Sequence, residues 1–307
     1  MTASWRCLAR HSPTKTTRCA LGSAYFKRGD YDRAISHFRG NVDSLVGDQI
    51  YERFGLVFLA SVGSRYQLVL LHSDRGEFTE AAIHGNEVIR IAEMVNHPYN
   101  LYTAYFAVGS LHLRKGAIDK AISALERSLE LCRSWNIRQN IPRVAVALGN
   151  AYAAAGRVGE ALPILDLANR AARLDSTREQ LAQGYLAIGK LKDAALLASD
   201  AIDKARHQLA RGREAGALYV LGEITLSGNA VDIAKAADHY RQAIVLADPI
   251  GLRPLVAHCH IGLGKLHRRT GALEQAKTHL DKGVKMMREM GMGLWLERAE
   301  AELKELG

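Results

Sequence analysis

Glycine recurs in this sequence at a spacing that restricts the fold more than any other feature. Successive copies stand 33 to 47 residues apart, which is the range in which an internal repeat indicates a solenoid of stacked units. Six copies align directly, and a seventh around Ser227-Gly228-Asn229 has extra residues before its alanine. The six are Gly29, Gly76, Gly116, Gly156, Gly189 and Gly271.

Three further columns accompany the glycine. A small residue precedes it by seven positions in most copies, as Gly22, Gly109, Gly149, Ala182, Gly222 and Gly264, with Val69 the exception. A flat, bulky side chain precedes it by four positions, as Tyr25, His72, His112, Tyr152, Tyr185 and His267. Alanine follows it by five, as Ala34, Ala81, Ala121, Ala161, Ala194 and Ala276, with Ala236 in the irregular copy.

Each column has a physical cause. The glycine favours a left-handed turn that ends one helix. Segments on both sides keep helical period, as in AISALERSLELC at 121–132. We expect the small residue of the first helix to face the alanine of the second, so that the two helices pack closely. Because one hairpin cannot bury its own apolar face, the hairpins must stack.

The spacing L-G-x2-Y-x3-G-x4-A-x3-F of residues 21–38 resembles the tetratricopeptide repeat. This resemblance predicts an all-α fold, a right-handed superhelical solenoid of about seven helical hairpins. We expect a basic capping or disordered segment at 1–16, the repeat array at 17–292 and a C-terminal capping helix at 293–307. The capping helix has an apolar face of Leu296, Ala299, Leu303 and Leu306.

Several stretches resemble one group more closely, namely the C-terminal repeat regions of large bacterial signalling ATPases with an adenylate/guanylate-cyclase-type domain at their front. These stretches are NHPYNLYTAYFAVGSLHLRKG (96–116), GRVGEALPILDLA (156–168), HYRQAIVLADPIGLRPLVAHCHIGLGKLHRRTG (239–271) and MREMGMGLWLERAEAEL (287–303). The resemblance implies a bacterial, cytoplasmic sensory or interaction module. Nucleotide chemistry in that group lies upstream of the repeats, so no catalytic residue is carried over.

The chemical motifs in the sequence are weak. Residues 184–190 match the phosphate-loop skeleton GxxxxGK, but Leu191 stands where a magnesium-binding Ser or Thr is needed. His258, Cys259, His260 and His267 suggest either a metal site or buried, hydrogen-bonded histidines, and the repeat columns favour the second interpretation. We therefore expect no enzyme activity, no cofactor and no metal.

The overall positive charge raises the question of a nucleic-acid partner. The net charge is +9, yet basic and acidic residues alternate along the predicted helices, which favours a solvated surface over a nucleic-acid site. No apolar run is long enough to span a bilayer, so we expect no membrane partner. The cysteines at 7, 19, 132 and 259 form no CxxC pair, which favours a reducing cytoplasm.

The first helices of such hairpins line the inner, concave surface, where a partner would bind. Inward positions predict a site with aromatic residues at its front, acids in its middle and bases at its end. Its residues are Tyr66, Phe106, Asn150, Glu179, Gln183, Tyr219, Glu223, Lys265 and Arg268, whereas Val146 and Ile261 are interpreted as packing residues.

These features predict a non-enzymatic scaffold that binds a protein or peptide. A small-ligand-sensing regulatory domain and a nucleic-acid-binding helical repeat remain as alternatives. The front hairpin, residues 21–45, has an apolar flank and no charged cap, so we also expect a homodimer through the N-terminal repeats. Folding of residues 1–16 over that flank, with Trp5 and Leu8 as anchors, is the alternative.

Overall fold

The structure is a computed structural model that describes residues 14–170, 177–228 and 232–306. These residues form seven helical hairpins and a final helix, as the repeat predicts. The hairpins, numbered 1 to 7, are α1 (Lys15–Arg28) with α2 (Tyr31–Asp43), α3 (Ala60–Arg75) with α4 (Phe78–Val95), α5 (Pro98–Lys115) with α6 (Ile118–Ser134), α7 (Ile141–Ala154) with α8 (Val158–Asn169), α9 (Arg178–Ala187) with α10 (Leu191–His207), α11 (Arg211–Ser227) with α12 (Ile233–Ala247), and α13 (Arg253–Arg269) with α14 (Leu273–Met290). The final helix is α15 (Gly293–Lys304).

The recurring glycine makes the turn inside each regular hairpin. Gly116 has φ = 80°, its N–H donates to Leu113 O at 3.1 Å, and the next N–H donates from Ala117 to His112 O at 2.9 Å. These bonds satisfy carbonyls that the end of α5 leaves open. The other five aligned glycines also have φ between 74° and 81°. Hairpin 6 differs, because Gly228 is extended (φ = −71°).

The close approach of the two helices in a hairpin depends on a partner that the sequence analysis misassigned. A Cβ atom added to Gly109 would lie 2.6 Å from Cγ of Leu125, so the glycine faces this large side chain. Ala121, the expected partner, lies one helical turn earlier. The same contact joins Gly22 to Phe38, Gly149 to Leu165, Gly222 to Tyr240 and Gly264 to Leu280.

The exception at Val69 follows the same rule with the sizes exchanged. Its counterpart on the second helix of hairpin 2 is Gly85, and a Cβ atom added there would lie 4.0 Å from the Val69 side chain. Here the large residue stands on the first helix and the small one on the second. In hairpins 1, 2, 3, 4, 6 and 7, a glycine on one helix thus faces a larger side chain on the other.

The superhelix closes on itself after about five hairpins. The turn at Gly29 in hairpin 1 lies against Arg211 at the start of hairpin 6, at 3.6 Å from the added Cβ. A Cβ atom added to Gly76 in hairpin 2 would lie 3.2 Å from Cγ of Pro254 in hairpin 7. One added to Gly116 in hairpin 3 would lie 2.9 Å from the N atom of Leu294 in α15. Each of these three turns thus contacts a segment about five hairpins further along the chain.

Apolar side chains fill the seam between the two superhelical turns. One buried cluster joins Leu68 and Leu71 of hairpin 2 to Leu252 and Val256 near the start of hairpin 7. A second cluster joins Val69, Phe78 and Leu111 of hairpins 2 and 3 to Ile261, Met287 and Met290 of hairpin 7. The seam is therefore part of the buried core, and it connects hairpins 2 and 3 to hairpin 7.

The final helix covers hairpin 7 with the face that the sequence predicts. Ala299 is buried, and Leu296, Leu303 and Leu306 pack against the same cluster as Met287. At the other end of the chain α1 begins at Lys15, and the predicted anchors Trp5 and Leu8 lie outside the described residues. None of the described helices combines the length and apolar character that crossing a bilayer requires.

The size-matched pairs lead to a prediction about stability. Gly109→Ala should lower the free energy of unfolding by about 1–3 kcal/mol, because its new methyl group overlaps Leu125. Gly159→Ala is the matched control, since no atom lies within 4 Å of its added Cβ, and should leave stability unchanged or raise it by up to about 1 kcal/mol. Urea unfolding measures both variants. Equal midpoints for Gly109→Ala and the unmodified protein would contradict the proposed contact.

Candidate functional site

The first helix of each hairpin contributes to the inner face of the superhelix, and the predicted site residues lie on these helices. Phe106 is buried and Gln183 is exposed, while the other seven are half-buried. The two positions interpreted as packing residues, Val146 and Ile261, are both buried. Because the superhelix closes, the inner face is not a groove running open from hairpin 2 to hairpin 7, and its two ends lie side by side.

At the front of the inner face, two predicted aromatic residues meet. The rings of Tyr66 and Phe106 have centroids 6.1 Å apart. Arg143 of α7 joins them, since its Nη1 donates to the Tyr66 hydroxyl at 2.8 Å and its guanidinium lies 6.0 Å from the Phe106 ring centroid. This group offers apolar area together with an exposed cation.

The middle of the inner face contains acidic side chains together with arginine. Asp74 Oδ1 pairs with Nε of Arg114 at 2.6 Å, and the Tyr31 hydroxyl donates to Asp74 at 3.4 Å. Glu179 lies close to this pair and rests on Gly216, where an added Cβ would be 2.6 Å from its Oε1. Residues from hairpins 1, 2, 3, 5 and 6 therefore meet at one point across the superhelix axis.

Burial controls the ionisation of Glu179. Loss of hydration raises its pKa from 4.5 to about 7, and the nearby Asp74 carboxylate adds to the increase. The guanidinium groups of Arg114 and Arg213 oppose this shift and do not cancel it. Near neutral pH the side chain is thus divided between a carboxylate, which accepts hydrogen bonds, and a carboxylic acid, which can donate one.

Towards hairpins 6 and 7, the predicted acid and base pair with each other. Glu223 Oε2 lies 3.6 Å from Nζ of Lys265, and its Oε1 accepts a hydrogen bond from the Tyr240 hydroxyl at 2.6 Å. The Tyr219 ring lies beside those of Tyr240 and His258, with centroids 6.3 and 5.9 Å away. Burial raises the pKa of Tyr219 well above its ordinary value, so its hydroxyl stays protonated.

Asn150 and Arg268, two further predicted site residues, form contacts within the protein. Nδ2 of Asn150 donates to the Gln180 carbonyl at 2.9 Å, which links α7 to α9. Arg268 pairs with Glu302 of α15 at 2.9 Å and also with Glu305. The base at the end of the predicted site thus holds the final helix in place.

Sequence reasoning missed Asp74, Arg114, His258 and Trp295. The first two were within reach, because each stands two residues before its turn glycine. That position extends the inward column of Tyr66 and Phe106 by two turns of helix. His258 was considered as a metal ligand or as a buried, hydrogen-bonded histidine. Trp295 was assigned to neither face of the capping helix.

Three half-buried groups of the inner face have no hydrogen-bond partner among the described residues. They are the carboxyl group of Glu179, the hydroxyl of Tyr219 and the imidazole of His258. Burial also lowers the pKa of His258 to about 4, so the ring is neutral at physiological pH. All three side chains are partly accessible to solvent. These three therefore remain available to a bound molecule.

The histidines that the sequence raised as metal ligands pack against other rings instead. Nδ1 of the buried His260 and Nδ1 of His279 are 2.9 Å apart and share a hydrogen bond, and the His267 ring stacks on His279 with centroids 5.4 Å apart. Burial lowers the pKa of His260 to about 4, with further contributions from Lys282 and His279. Within the described residues, no group of three or more His, Cys, Asp or Glu side chains is arranged to hold a metal ion.

Comparison with protein families identifies the repeat. A family model described as tetratricopeptide repeat matches residues 16–40 and 102–134, and a second model with the same description matches residues 142–166. These segments lie in hairpins 1, 3 and 4. These three segments therefore match the tetratricopeptide repeat, which the sequence predicts. A comparison with curated protein sequences finds no match.

Solved structures share the fold at low sequence identity. The Rap conjugation gene regulator of the plasmid pLS20, solved with the Phr* peptide, has a TM-score of 0.68 and 14% identity over 90% of this chain and 74% of that chain. The apo form of RapI has a TM-score of 0.58 and 15% identity over 91% and 99%. The APC/C hetero-tetramer Cut9–Hcn1 has a TM-score of 0.63 and 13% identity over 98% and 58%. These similarities establish a tetratricopeptide-type solenoid.

The raised pKa of Glu179 leads to a prediction about pH. Between pH 4.5 and 7 the folded protein holds this proton more tightly than the unfolded chain does, so Glu179 contributes stability at low pH that is lost as the pH rises through 7. Glu179→Gln keeps the shape and removes the charge. Its melting temperature should exceed that of the unmodified protein at pH 8 and approach it at pH 5. An equal difference at both values would show that Glu179 has an ordinary pKa.

Proposed function

We propose that this protein is a non-enzymatic tetratricopeptide-repeat scaffold that binds a peptide, or a peptide-like segment of a protein, on the inner face of its superhelix. The proposal rests on the three unpartnered groups of Glu179, Tyr219 and His258. Because these groups are half-buried and not fully enclosed, a ligand with matching donors and acceptors can form hydrogen bonds with them.

The chemistry of the inner face favours a peptide over other ligands. The half-buried rings of Tyr66 and Tyr219 supply contact area, and the polar groups between them fit the alternating donors and acceptors of a peptide backbone. Glu179 and Asp74 oppose the phosphates of a nucleic acid, whose binding depends on converging cations. The positive net charge is therefore better explained as surface charge.

A signalling role is part of this proposal. The sequence resembles the repeat regions of bacterial signalling ATPases, and a structure with the same fold, the Rap regulator of pLS20, was solved in complex with the Phr* peptide. By analogy, binding on the inner face would report the presence of a peptide to a second protein. A bacterial cytoplasmic location follows from the same resemblance and from the unpaired cysteines.

Peptide binding can be tested without knowing the natural partner. A displayed library of random peptides is selected against the protein, and calorimetry measures the affinity of the best peptide. Glu179→Gln and Tyr219→Phe should each weaken that affinity about 3- to 10-fold, since each loses one hydrogen bond of about 0.5–1.5 kcal/mol. Glu130→Gln is the control, because Glu130 is exposed on α6 and pairs only with Arg127.

Two results would count against the proposal. One is a selection that enriches no peptide. The other is a peptide whose affinity is unchanged by both inner-face substitutions, which would place binding elsewhere on the surface.

We also propose that two copies associate through hairpin 1. Its first helix carries Leu21, Tyr25 and Phe26, which are half-buried, and a two-fold contact would cover both flanks at once. Light scattering after size exclusion should give twice the mass of one chain at tens of micromolar. Leu21→Glu should return the mass to that of one chain while the helical circular dichroism is kept. A monomeric unmodified protein at that concentration would exclude the dimer.

A further inference from the structure

Helix α15 reaches beyond the hairpin that it caps. The Leu294 N–H donates to Gly116 O at 3.4 Å, and Nε1 of Trp295 donates to Leu113 O at 3.1 Å. Arg298 donates to Ala154 O at 2.7 Å. The three acceptors are backbone carbonyls at the ends of α5 and α7, in hairpins 3 and 4. A carbonyl oxygen has two lone pairs, so Leu113 O accepts from Trp295 in addition to the Gly116 N–H.

These hydrogen bonds add to the apolar contacts of the cap. The cap is formed by the apolar face of α15, where Ala299 is buried against the core of hairpin 7. Trp295 lies on the same face, one helical turn before Ala299, and packs against both this cluster and the core cluster of hairpins 3 to 5, while Arg298 is exposed beside it. The Trp295 ring meets the ring of His258 edge to face at 5.6 Å, and the Arg298 guanidinium lies 5.4 Å from the Trp295 ring centroid.

The position of Trp295 connects α15 to the inner face. His258 is one of the three unpartnered groups there, and its ring lies between those of Tyr219 and Trp295. A molecule that paired with His258 and Tyr219 would compete with Trp295 for contact with the His258 ring. The indole and the guanidinium thus occupy the inner face much as a bound peptide would.

We propose that Trp295 and Arg298 act as an internal competitor, which a peptide displaces when it binds the inner face. This inference rests on the proposed function and specifies its ligand. The displacing peptide carries an aromatic side chain with a hydrogen-bond donor, and an arginine one helical turn later. Such a peptide replaces the donors to the carbonyls of Leu113 and Ala154 and the edge contact with His258.

Hydrogen exchange tests whether α15 can undock. In the full-length protein, amides of α15 should exchange at least about tenfold faster than those of α14, because a displaceable segment opens locally while the core opens only on global unfolding. Trp295→Ala/Arg298→Ala should accelerate α15 further and leave α14 unchanged. If α15 and α14 exchange at one common rate, the helix is an inseparable part of the core and the proposal fails.

A peptide added in trans tests whether the site that Trp295 and Arg298 occupy can bind a separate molecule. The probe is a labelled synthetic peptide of residues 292–306, MGLWLERAEAELKEL, followed by fluorescence anisotropy. It should bind the Trp295→Ala/Arg298→Ala protein at least about tenfold more tightly than the unmodified protein, in which the tethered copy has a millimolar effective concentration. The same peptide with both substitutions should not bind. Equal affinities for the two proteins, or binding by the substituted peptide, would overturn the proposal.

Two controls keep these tests decisive. If the double variant fails to fold, Arg298→Ala alone removes one donor from an exposed side chain and serves in its place. Trp135→Ala removes an exposed indole at the end of α6 and should change neither readout. Hydrogen exchange and the trans peptide need only the sequence of this chain and no library peptide. A failed selection of library peptides would therefore count against the proposed function, whereas the two tests described here would still give a result.

Discussion

The size-matched contact between the two helices of a hairpin determines how the rest of the structure is arranged. A glycine facing Leu125, Leu165 or Leu280 lets one helix approach the next more closely than two large side chains would allow. Every hairpin then has nearly the same shape, and identical units stacked with a constant small rotation produce a superhelix. Because that rotation completes one turn in about five hairpins, seven hairpins are enough for the second turn to rest on the first.

The sequence predicted the hairpins well because each column records a local contact. Gly116 needs a left-handed backbone and Gly109 needs space, and both requirements are met within one repeat. In the sequence, Val69 stood out only as an exception among small residues. A single aligned position does not show that Gly85, on the other helix, provides the space that Val69 takes up. The irregular turn at Gly228 was recognised, but its extended backbone was not predicted.

The closure of the superhelix could not be predicted from the sequence. Contacts such as Gly76 with Pro254 depend on the sum of many small rotations between hairpins, and no single repeat encodes that sum. This limit also affected the site. Tyr66, Phe106, Glu179 and Glu223 lie on first helices of their hairpins, yet their neighbours across the axis could not be inferred. The meeting of Asp74, Arg114 and Glu179 and the inward position of Trp295 both result from closure.

The apolar seam between hairpins 2 and 7 also affects how the chain folds. In an open repeat array each unit touches only its neighbours, so folding can begin anywhere and ends can fray separately. Here Leu111 and Met287, which are far apart along the chain, share one buried cluster. Such distant pairing raises the contact order, which slows folding and ties the loss of one end to the loss of the other. The chain thus gains the cooperativity of a globular domain while keeping the architecture of a repeat.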